Sequence, residues 1–200
     1  ANGTSLGQRD MGFADPRIDP VTKRCLRPIQ EVLFTSIVGG LFAEGLMPNG
    51  SIFDVGANRG IWACYWASVA TNRIVHAMDP DPRYIKVMRT HYGHIANLQP
   101  MLGALGSESR VTSHDRASDG GMRFFPLSGE ARQTTLRVYA LDELFDSWRD
   151  EKLGFAQFDV DGYELPLLRG ARAIIARDRP IFSTELHVQE SPEGSRDLLR

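Results

Sequence analysis

A glycine-rich turn behind a short apolar stretch carries the clearest chemistry in this chain. Residues 51–60 read SIFDVGANRG, in which an apolar strand runs into an acid and then into the turn. Gly56 and Gly60 let the backbone approach a ligand closely, and Asn58 is one of the few residue types that tolerate a left-handed conformation there. A helix that begins beside the turn points its free N–H groups at the same place. The pattern predicts a site for a nucleotide-type cofactor.

The acid at the end of the strand, Asp54, discriminates between such cofactors. A dinucleotide would place its anionic pyrophosphate on the glycine turn, where a carboxylate would repel it. S-adenosylmethionine (SAM) has no phosphate and carries an ammonium and a sulfonium group, so an acid attracts it. We therefore expect SAM as the cofactor. A tight strand-to-helix turn with no ligand is the alternative interpretation.

A second acid, Asp79, ends the next apolar stretch, residues 74–79. It follows the glycine turn by about twenty residues, which is the offset of an acid that accepts hydrogen bonds from ribose hydroxyls. Its alternative role is to cap the helix that begins near Pro82. Two acids at consecutive strand ends favour a SAM site.

Alternating strands and helices are predicted to position these residues. Strands are predicted at residues 51–55, 74–79, 98–102, 155–159 and 181–186, and helices at 28–44, 61–70, 82–92, 141–148 and 164–176. With right-handed crossovers, this alternation gives an open, mostly parallel sheet with helices on both faces. The expected fold class is α/β and Rossmann-like.

The alternation is interrupted between the third and fourth predicted strands. Residues 121–126 and 134–139 predict an inserted β-hairpin, preceded by a charged loop at 107–120. The hairpin is either a cap over the active site or a plain surface feature. Residues 1–27 are expected to form an irregular arm ahead of one domain at 28–200.

Composition narrows the class of protein. A net charge of -2 and a pI near 6.2 provide no basic surface for nucleic acid. The longest apolar run, near residues 32–46, is too short to span a bilayer, and the start of the chain lacks a signal-peptide pattern. Cys25 and Cys64 are expected to be reduced, buried or partly buried residues. These features favour a cytoplasmic protein.

Seven short segments together resemble the FkbM-type SAM-dependent methyltransferases. In chain order they are DVGANRG at 54–60, MDPDP at 78–82, ALG at 104–106, ALDEL at 140–144, FDVDGYE at 158–164, LRGA at 168–171 and ELH at 185–187. The most specific part is the GANxG turn combined with a downstream D-V-acid-G-x-E segment. The resemblance implies a class I methyltransferase fold and methyl transfer to a hydroxyl group of a small molecule or a sugar.

The resemblance also implies roles for single residues. The methionine part of SAM would be held by Asp54, Gly56, Asn58 and Gly60, the ribose by Asp79, and the adenine by Leu102, Gly103 and Ala104. The candidate catalytic residues are Asp159, Asp161, Glu185 and His187, at the ends of the last two predicted strands. These four side chains could also form a metal site. We expect none, because acids beside a cationic cofactor already have an electrostatic partner.

The chain departs from the family pattern in two places. Gln157 stands where the family commonly has a lysine, and Asp161 where it has a glutamate. Only residues 188–200 follow the ELH segment, so the last strands of the fold are expected to be missing. Two other functions therefore stay open: a domain that binds SAM or S-adenosylhomocysteine (SAH) without catalysis, and a nucleotide-dependent oxidoreductase. The absence of a G-x-G-x-x-G motif argues against the second.

Overall fold

The computed structural model describes residues 32–116, 122–125, 134–148 and 151–184. In chain order the elements are α1 (Val32–Ala43), β1 (Ser51–Val55), α2 (Ile61–Val69), β2 (Val75–Asp79), α3 (Pro82–Tyr92), β3 (Leu98–Leu102), β4 (Ala104–Leu105), β5 (Arg110–Arg116), β6 (Met122–Phe125), β7 (Thr134–Tyr139), α4 (Leu141–Ser147), β8 (Leu153–Phe158), α5 (Glu164–Arg169), α6 (Arg172–Asp178) and β9 (Ile181–Thr184). The predicted arm at 1–27 lies outside the described residues.

A parallel sheet of five strands forms the centre of the fold. Its order is β3-β2-β1-β8-β9, and every neighbouring pair is parallel. The chain builds outward from β1 to β3 and then returns to β8 on the other side of β1, so the strand order reverses between β1 and β8. Ligands bind in the crevice at such a reversal, outside the carboxyl ends of the strands. The predicted open, mostly parallel sheet is confirmed.

Helices cover both faces of this sheet. On one face, Trp66 of α2, Met88 of α3 and Val38 of α1 pack with β-strand residues into one buried cluster. On the other face, Phe145 of α4 and Leu167 of α5 belong to a second cluster. Burying both faces explains why β1, β2 and β8 are buried along their whole lengths.

The inserted strands form a second sheet rather than the expected hairpin. Its order is β4-β7-β5-β6, so β5 lies between β6 and β7 and is antiparallel to both. Residues 110–116 were expected to be a charged loop, and that expectation is wrong. Their sequence, RVTSHDR, is mostly polar, with Val111 exposed and Thr112 buried, and so lacks the run of apolar residues that marks a strand.

The helix predicted at 164–176 is in fact two helices, α5 and α6, which are separated at Gly170. A side chain at Gly170 would overlap the backbone of Gly106, and the Gly170 carbonyl accepts a hydrogen bond from the Asp142 N–H at 2.9 Å. The Asp142 carboxylate in turn accepts from the N–H groups of Ala173 and Ile174, which begin α6. The break lets the chain pack against the β4 segment and α4.

Cys64 lies on the buried side of α2 and is disulfide-bonded. The expectation of two reduced cysteines is therefore wrong. Cys25, the other cysteine of the chain, lies outside the described residues. The position of Cys64 in an apolar helix indicated that it is buried but not whether it is bonded to another cysteine. Free cysteines therefore no longer support the predicted reducing compartment.

Within the described ranges, no helix combines the length and apolar character that a membrane crossing requires.

Candidate functional site

The crevice between β1 and β8 holds a cleft of about 210 Å³, which we call the first cleft. It is lined by Val55, Gly56, Asn58, Met78, Asp79, Pro80, Asp81, Tyr84, Gly103, Ala104, Leu105, Asp159, Val160, Asp161 and Tyr163. These residues come from the turn after β1, the end of β2, the start of α3, the β3–β4 connection and the segment after β8. Seven of the twelve predicted site residues thus line one cleft at this edge of the sheet, namely Gly56, Asn58, Asp79, Gly103, Ala104, Asp159 and Asp161.

A second cleft, of about 410 Å³, adjoins the first. It is lined by Gly56, Ala57, Asn58, Arg59, Ile61, Trp62, Tyr84 and Asp159. Gly56, Asn58, Tyr84 and Asp159 line both clefts, so a ligand in one would lie beside a ligand in the other.

Backbone hydrogen bonds tie the glycine turn to the end of β2. The N–H groups of Gly56 and Ala57 both donate to the Met78 carbonyl at 3.0 Å, and the Asn58 N–H donates to Asp79 Oδ2 at 2.7 Å. Asn58 adopts the left-handed conformation that its residue type predicted, with φ of 50°. The turn therefore depends on Asp79 for its shape.

Glycine is required at two positions of the turn because a side chain there would collide with other protein atoms. At Gly56, where φ is 81°, a Cβ atom would overlap the carbonyl group of Asp159. At Gly60, where φ is 80°, it would lie 2.5 Å from Cγ of Met88. Gly56 lines both clefts, whereas Gly60 is buried and lines neither. Gly60 was predicted to contact the cofactor, but it is not among the residues that line either cleft.

Asp54 lies beneath the turn rather than in a cleft. It is 1% exposed, and its Oδ2 atom has no hydrogen-bond partner in the structure. Burial raises its pKa to about 8, and the negative charges of Asp159 and Asp79 act in the same direction, against a hydrogen bond from the Ala63 N–H. An unpartnered buried carboxyl is costly. A positive charge above the turn would compensate it.

Asp79 lines the first cleft, and two backbone N–H groups donate hydrogen bonds to its carboxylate. Its Oδ1 accepts from the Asp81 N–H at 2.8 Å, and its Oδ2 from Asn58. Burial raises the pKa of Asp79 to about 6, partly offset by these two hydrogen bonds. The alternative helix-capping role belongs to Asp81 instead, which accepts from the Arg83 N–H at 2.9 Å and also pairs with the Arg83 guanidinium.

Two of the three residues expected to hold adenine line the first cleft. Gly103 and Ala104 line the first cleft, but Leu102 does not and is 46% exposed. The apolar lining is completed by Leu105 and Met78. The β4 strand pairs with β7, and this turns Leu105 inward; the sequence alone gave no sign of that pairing.

Sequence reasoning also missed several other lining residues, namely Pro80, Tyr84, Val160 and Tyr163. Pro80 and Val160 directly follow Asp79 and Asp159, and this position could have identified them, whereas Tyr84 and Tyr163 lie two or three residues beyond an acid. The hydroxyl of Tyr163 accepts a hydrogen bond from Arg110 of β5 at 2.9 Å. Through this contact the second sheet supports one wall of the first cleft.

Of the four candidate catalytic residues, two lie at the site. Asp159 lines both clefts, and Asp161 lines the first cleft with a left-handed φ of 50°. Glu185 and His187 lie outside the described residues. Among the residues that are described, no group of three or more His, Cys, Asp and Glu side chains could hold a metal ion.

Gln157, which replaces the lysine common in the family, has a structural partner. It is 8% exposed in β8, and its Oε1 accepts a hydrogen bond from Trp66 Nε1 of α2 at 3.1 Å. A lysine could not accept this bond.

The first cleft has a strongly negative lining. Asp79, Asp81, Asp159 and Asp161 all line it, and its described lining residues include no lysine, arginine or histidine. Such a cleft attracts a cationic ligand and repels a phosphorylated one.

Comparison with solved structures gives the same fold. A methyltransferase FkbM from Methylobacillus flagellatus KT superimposes with a TM-score of 0.51 and 16% identity, over 76% of this chain and 36% of that chain. A precorrin-6y C5,15-methyltransferase from Geobacter metallireducens GS-15 is less similar, with a TM-score of 0.45 and 10% identity over 82% of this chain and 69% of that chain. A fibrillarin pre-rRNA processing protein from Methanococcus jannaschii has a TM-score of 0.43 and 14% identity over 77% of this chain and 56% of that chain. The chain thus spans about a third of the length of the FkbM structure.

No curated protein is significantly similar to the chain. The family model of the methyltransferase FkbM domain, however, matches residues 54–199, from the carboxyl buried beneath the glycine turn to beyond β9. That is well over half of the sequence, and the central sheet is that of class I SAM methyltransferases. The protein therefore belongs to the FkbM methyltransferase family.

Proposed function

We propose that this protein is an O-methyltransferase that transfers the methyl group of SAM to a hydroxyl group of a small molecule or a sugar. The observation that carries the proposal is the first cleft, whose described lining has the carboxylates of Asp79, Asp159 and Asp161 in addition to Asp81, which is paired with Arg83, and has no basic residue. SAM is a cation without phosphate, so it suits this lining. The pyrophosphate of a dinucleotide does not, and this disfavours an oxidoreductase.

Several residues would hold SAM in the first cleft. An ionised carboxylate offers about four acceptor sites, so Asp79 can receive ribose hydroxyls in addition to its two backbone donors. Gly103, Ala104 and Leu105 would bound the adenine, in agreement with an apolar slot that has a backbone edge. The ammonium group would lie over the glycine turn, where the buried Asp54 has an oxygen without a partner.

The chain's own contribution to methyl transfer is placement and proton removal. Bound SAM would supply a methyl carbon that its sulfonium activates, and the residues of the clefts would hold the acceptor oxygen in line with that carbon. Holding two reactants in this geometry can supply much of the rate acceleration. A carboxylate at the site would take the proton that the hydroxyl loses, and Asp159 and Asp161 are the described candidates.

A domain that binds SAM or SAH without catalysis is the second candidate. It is favoured by Gln157, which carries no charge and whose side-chain oxygen is already bound to Trp66. The family's lysine charge therefore has no equivalent at this position.

Turnover separates the two candidates. The protein is incubated with SAM and a panel of hydroxylated small molecules and sugars, and SAH formation is measured. We expect SAH formation that depends on an acceptor, and a loss of about 10²–10⁴-fold in kcat for whichever of Asp159→Asn and Asp161→Asn removes the base, with SAM affinity nearly unchanged. Tight SAM binding without turnover on any acceptor would support the non-catalytic domain.

A further inference from the structure

We propose that the second cleft binds the methyl acceptor and selects a hydroxylated ring that carries a carboxylate, with Arg59 as the residue that receives the carboxylate. This inference rests on the proposed function, because it assigns the acceptor to the space beside the SAM cleft. It narrows the acceptor from any hydroxyl compound to one chemical class.

The position of the second cleft suits an acceptor. Its lining includes Asp159, which also lines the first cleft, and Arg59, Ile61 and Trp62 at the start of α2. A ring seated there would lie beside a candidate base and beside a basic side chain that the first cleft does not have.

The charge of Arg59 has no partner of its own. Its side chain is exposed, and within the described residues it forms neither a hydrogen bond nor an ion pair. Arg83, on the same edge of the sheet, differs because Asp81 neutralises it. In the described lining of the two clefts, Arg59 is the sole basic side chain. An exposed arginine that lines a cleft and has no partner among the described residues is available for an external anion.

A carboxylate fits this arginine better than a phosphate does. The guanidinium group can bind either anion through two parallel hydrogen bonds, so the charge of the anion decides between them. Asp159 lies in the same cleft, and Asp79 lies nearby in the first cleft. Their negative charges repel a doubly charged phosphate more than a singly charged carboxylate.

The aromatic wall favours a flat ring. Trp62 is half-buried and stacks on Trp66, with ring centroids 5.5 Å apart and planes 15° apart. Its edge contact with Phe34, also at 5.5 Å, fixes it from a second side. Trp62 therefore lines the cleft in a fixed orientation, and a pre-oriented indole loses little entropy when an aromatic ring or the C–H face of a sugar ring packs on it.

The test is a set of titrations of the SAH-saturated protein with matched pairs of probes. The pairs are the three hydroxybenzoate isomers with their neutral hydroxybenzamides, and glucuronate with glucose. We expect at least one acid to bind about 10-fold more tightly than its neutral partner, because a hydrogen bond to a charged group is lost in the neutral compound. Arg59→Gln should abolish this preference and Arg59→Lys should restore part of it, with SAH affinity unchanged.

Arg89→Gln is the matched control, since Arg89 is an exposed arginine of α3 that lines neither cleft. It should leave the preference for acids intact. Equal binding of acids and neutral partners, or no binding of any probe, would overturn the inference. A loss of SAH affinity in Arg59→Gln would also overturn it, because the bound carboxylate would then be the one on the methionine part of the cofactor. Failure of the wild-type protein to bind SAM or SAH at all would instead contradict the proposed function.

Discussion

At the scale of single residues, the buried carboxyl of Asp54 has the largest expected response to pH. Its pKa in the folded protein is about 8, against 3.8 for the ordinary group. The folded state therefore holds a proton that the unfolded state has lost between these two values, and stability falls as the pH rises from about 4 to about 8. Asp54→Asn, which stays neutral, should match the wild type at about pH 4 or below and become steadily more stable than the wild type as the pH rises to about 8.

Chemical denaturation at several pH values measures this difference. The free energy of unfolding of Asp54→Asn minus that of the wild type should increase steadily with pH. A difference that stays constant from pH 5 to pH 8 would show that Asp54 is not protonated in the folded protein.

Cofactor binding should reverse the protonation of Asp54. At pH 7 its carboxyl is mostly protonated in the free protein, since the pKa is about 8. The ammonium group of SAH above the turn would favour the ionised form and lower the pKa, so binding should release up to one proton. Calorimetric titration with SAH in two buffers of different ionisation enthalpy detects this proton. If SAH binding releases an equally large amount of protons from Asp54→Asn, the proton comes from a group other than Asp54.

Gln157 makes the family's lysine unsuitable in this chain. Gln157→Lys removes the acceptor of the Trp66 indole N–H and places an ammonium group at a position that is 8% exposed. We expect a loss of at least about 2 kcal/mol in the free energy of unfolding. Gln99→Lys, at an exposed position of β3, is the matched control and should be nearly neutral. Equal stability of the two variants would contradict the structural role of Gln157.

Residue types predicted which positions gather around the clefts more reliably than how deep each lies. Asp54 was expected to contact SAM, and it is instead buried behind the turn. Gly56 was expected to make room for a ligand, and its missing side chain makes room for the backbone of Asp159. Both differences arise because residues distant in sequence, here those after β8, close on the turn.

At the scale of elements, prediction succeeded where the signal is local and failed where packing between distant segments decides the structure. β1, β3 and α3 have the predicted bounds, because an apolar run or a proline at the first turn marks them locally. The break at Gly170 and the strand β5 depend on partners elsewhere in the chain. Local sequence carries little information about such partners.

The break between α5 and α6 should not tolerate a side chain. In Gly170→Ala the new methyl group would overlap the backbone of Gly106, so we expect a loss of about 1–3 kcal/mol in the free energy of unfolding. Gly40→Ala is the control, since Gly40 lies in α1 with open space around it and alanine favours helices. Thermal denaturation compares the two. A stable Gly170→Ala protein would mean that the two segments do not touch in solution.

At the scale of the whole molecule, the reversal of strand order between β1 and β8 brings the site together. It places the glycine turn, the end of β2 and the segment after β8 around one cleft, although they are far apart in the sequence. The alternation of strands and helices predicted this arrangement from the sequence alone. It could not predict the second cleft, because that cleft depends on how Trp62 and Tyr84 pack.

The central claim is that the acidic cleft binds SAM and not a dinucleotide. Calorimetric titration of the full chain with SAM, with SAH and with NAD tests it most directly. We expect saturable binding of SAM and SAH and none of NAD, and a 10- to 100-fold weaker SAH affinity in folded Asp79→Ala, which corresponds to about 1.5–3 kcal/mol for hydrogen bonds to a charged group. Binding of NAD in the absence of SAM and SAH binding would contradict the account.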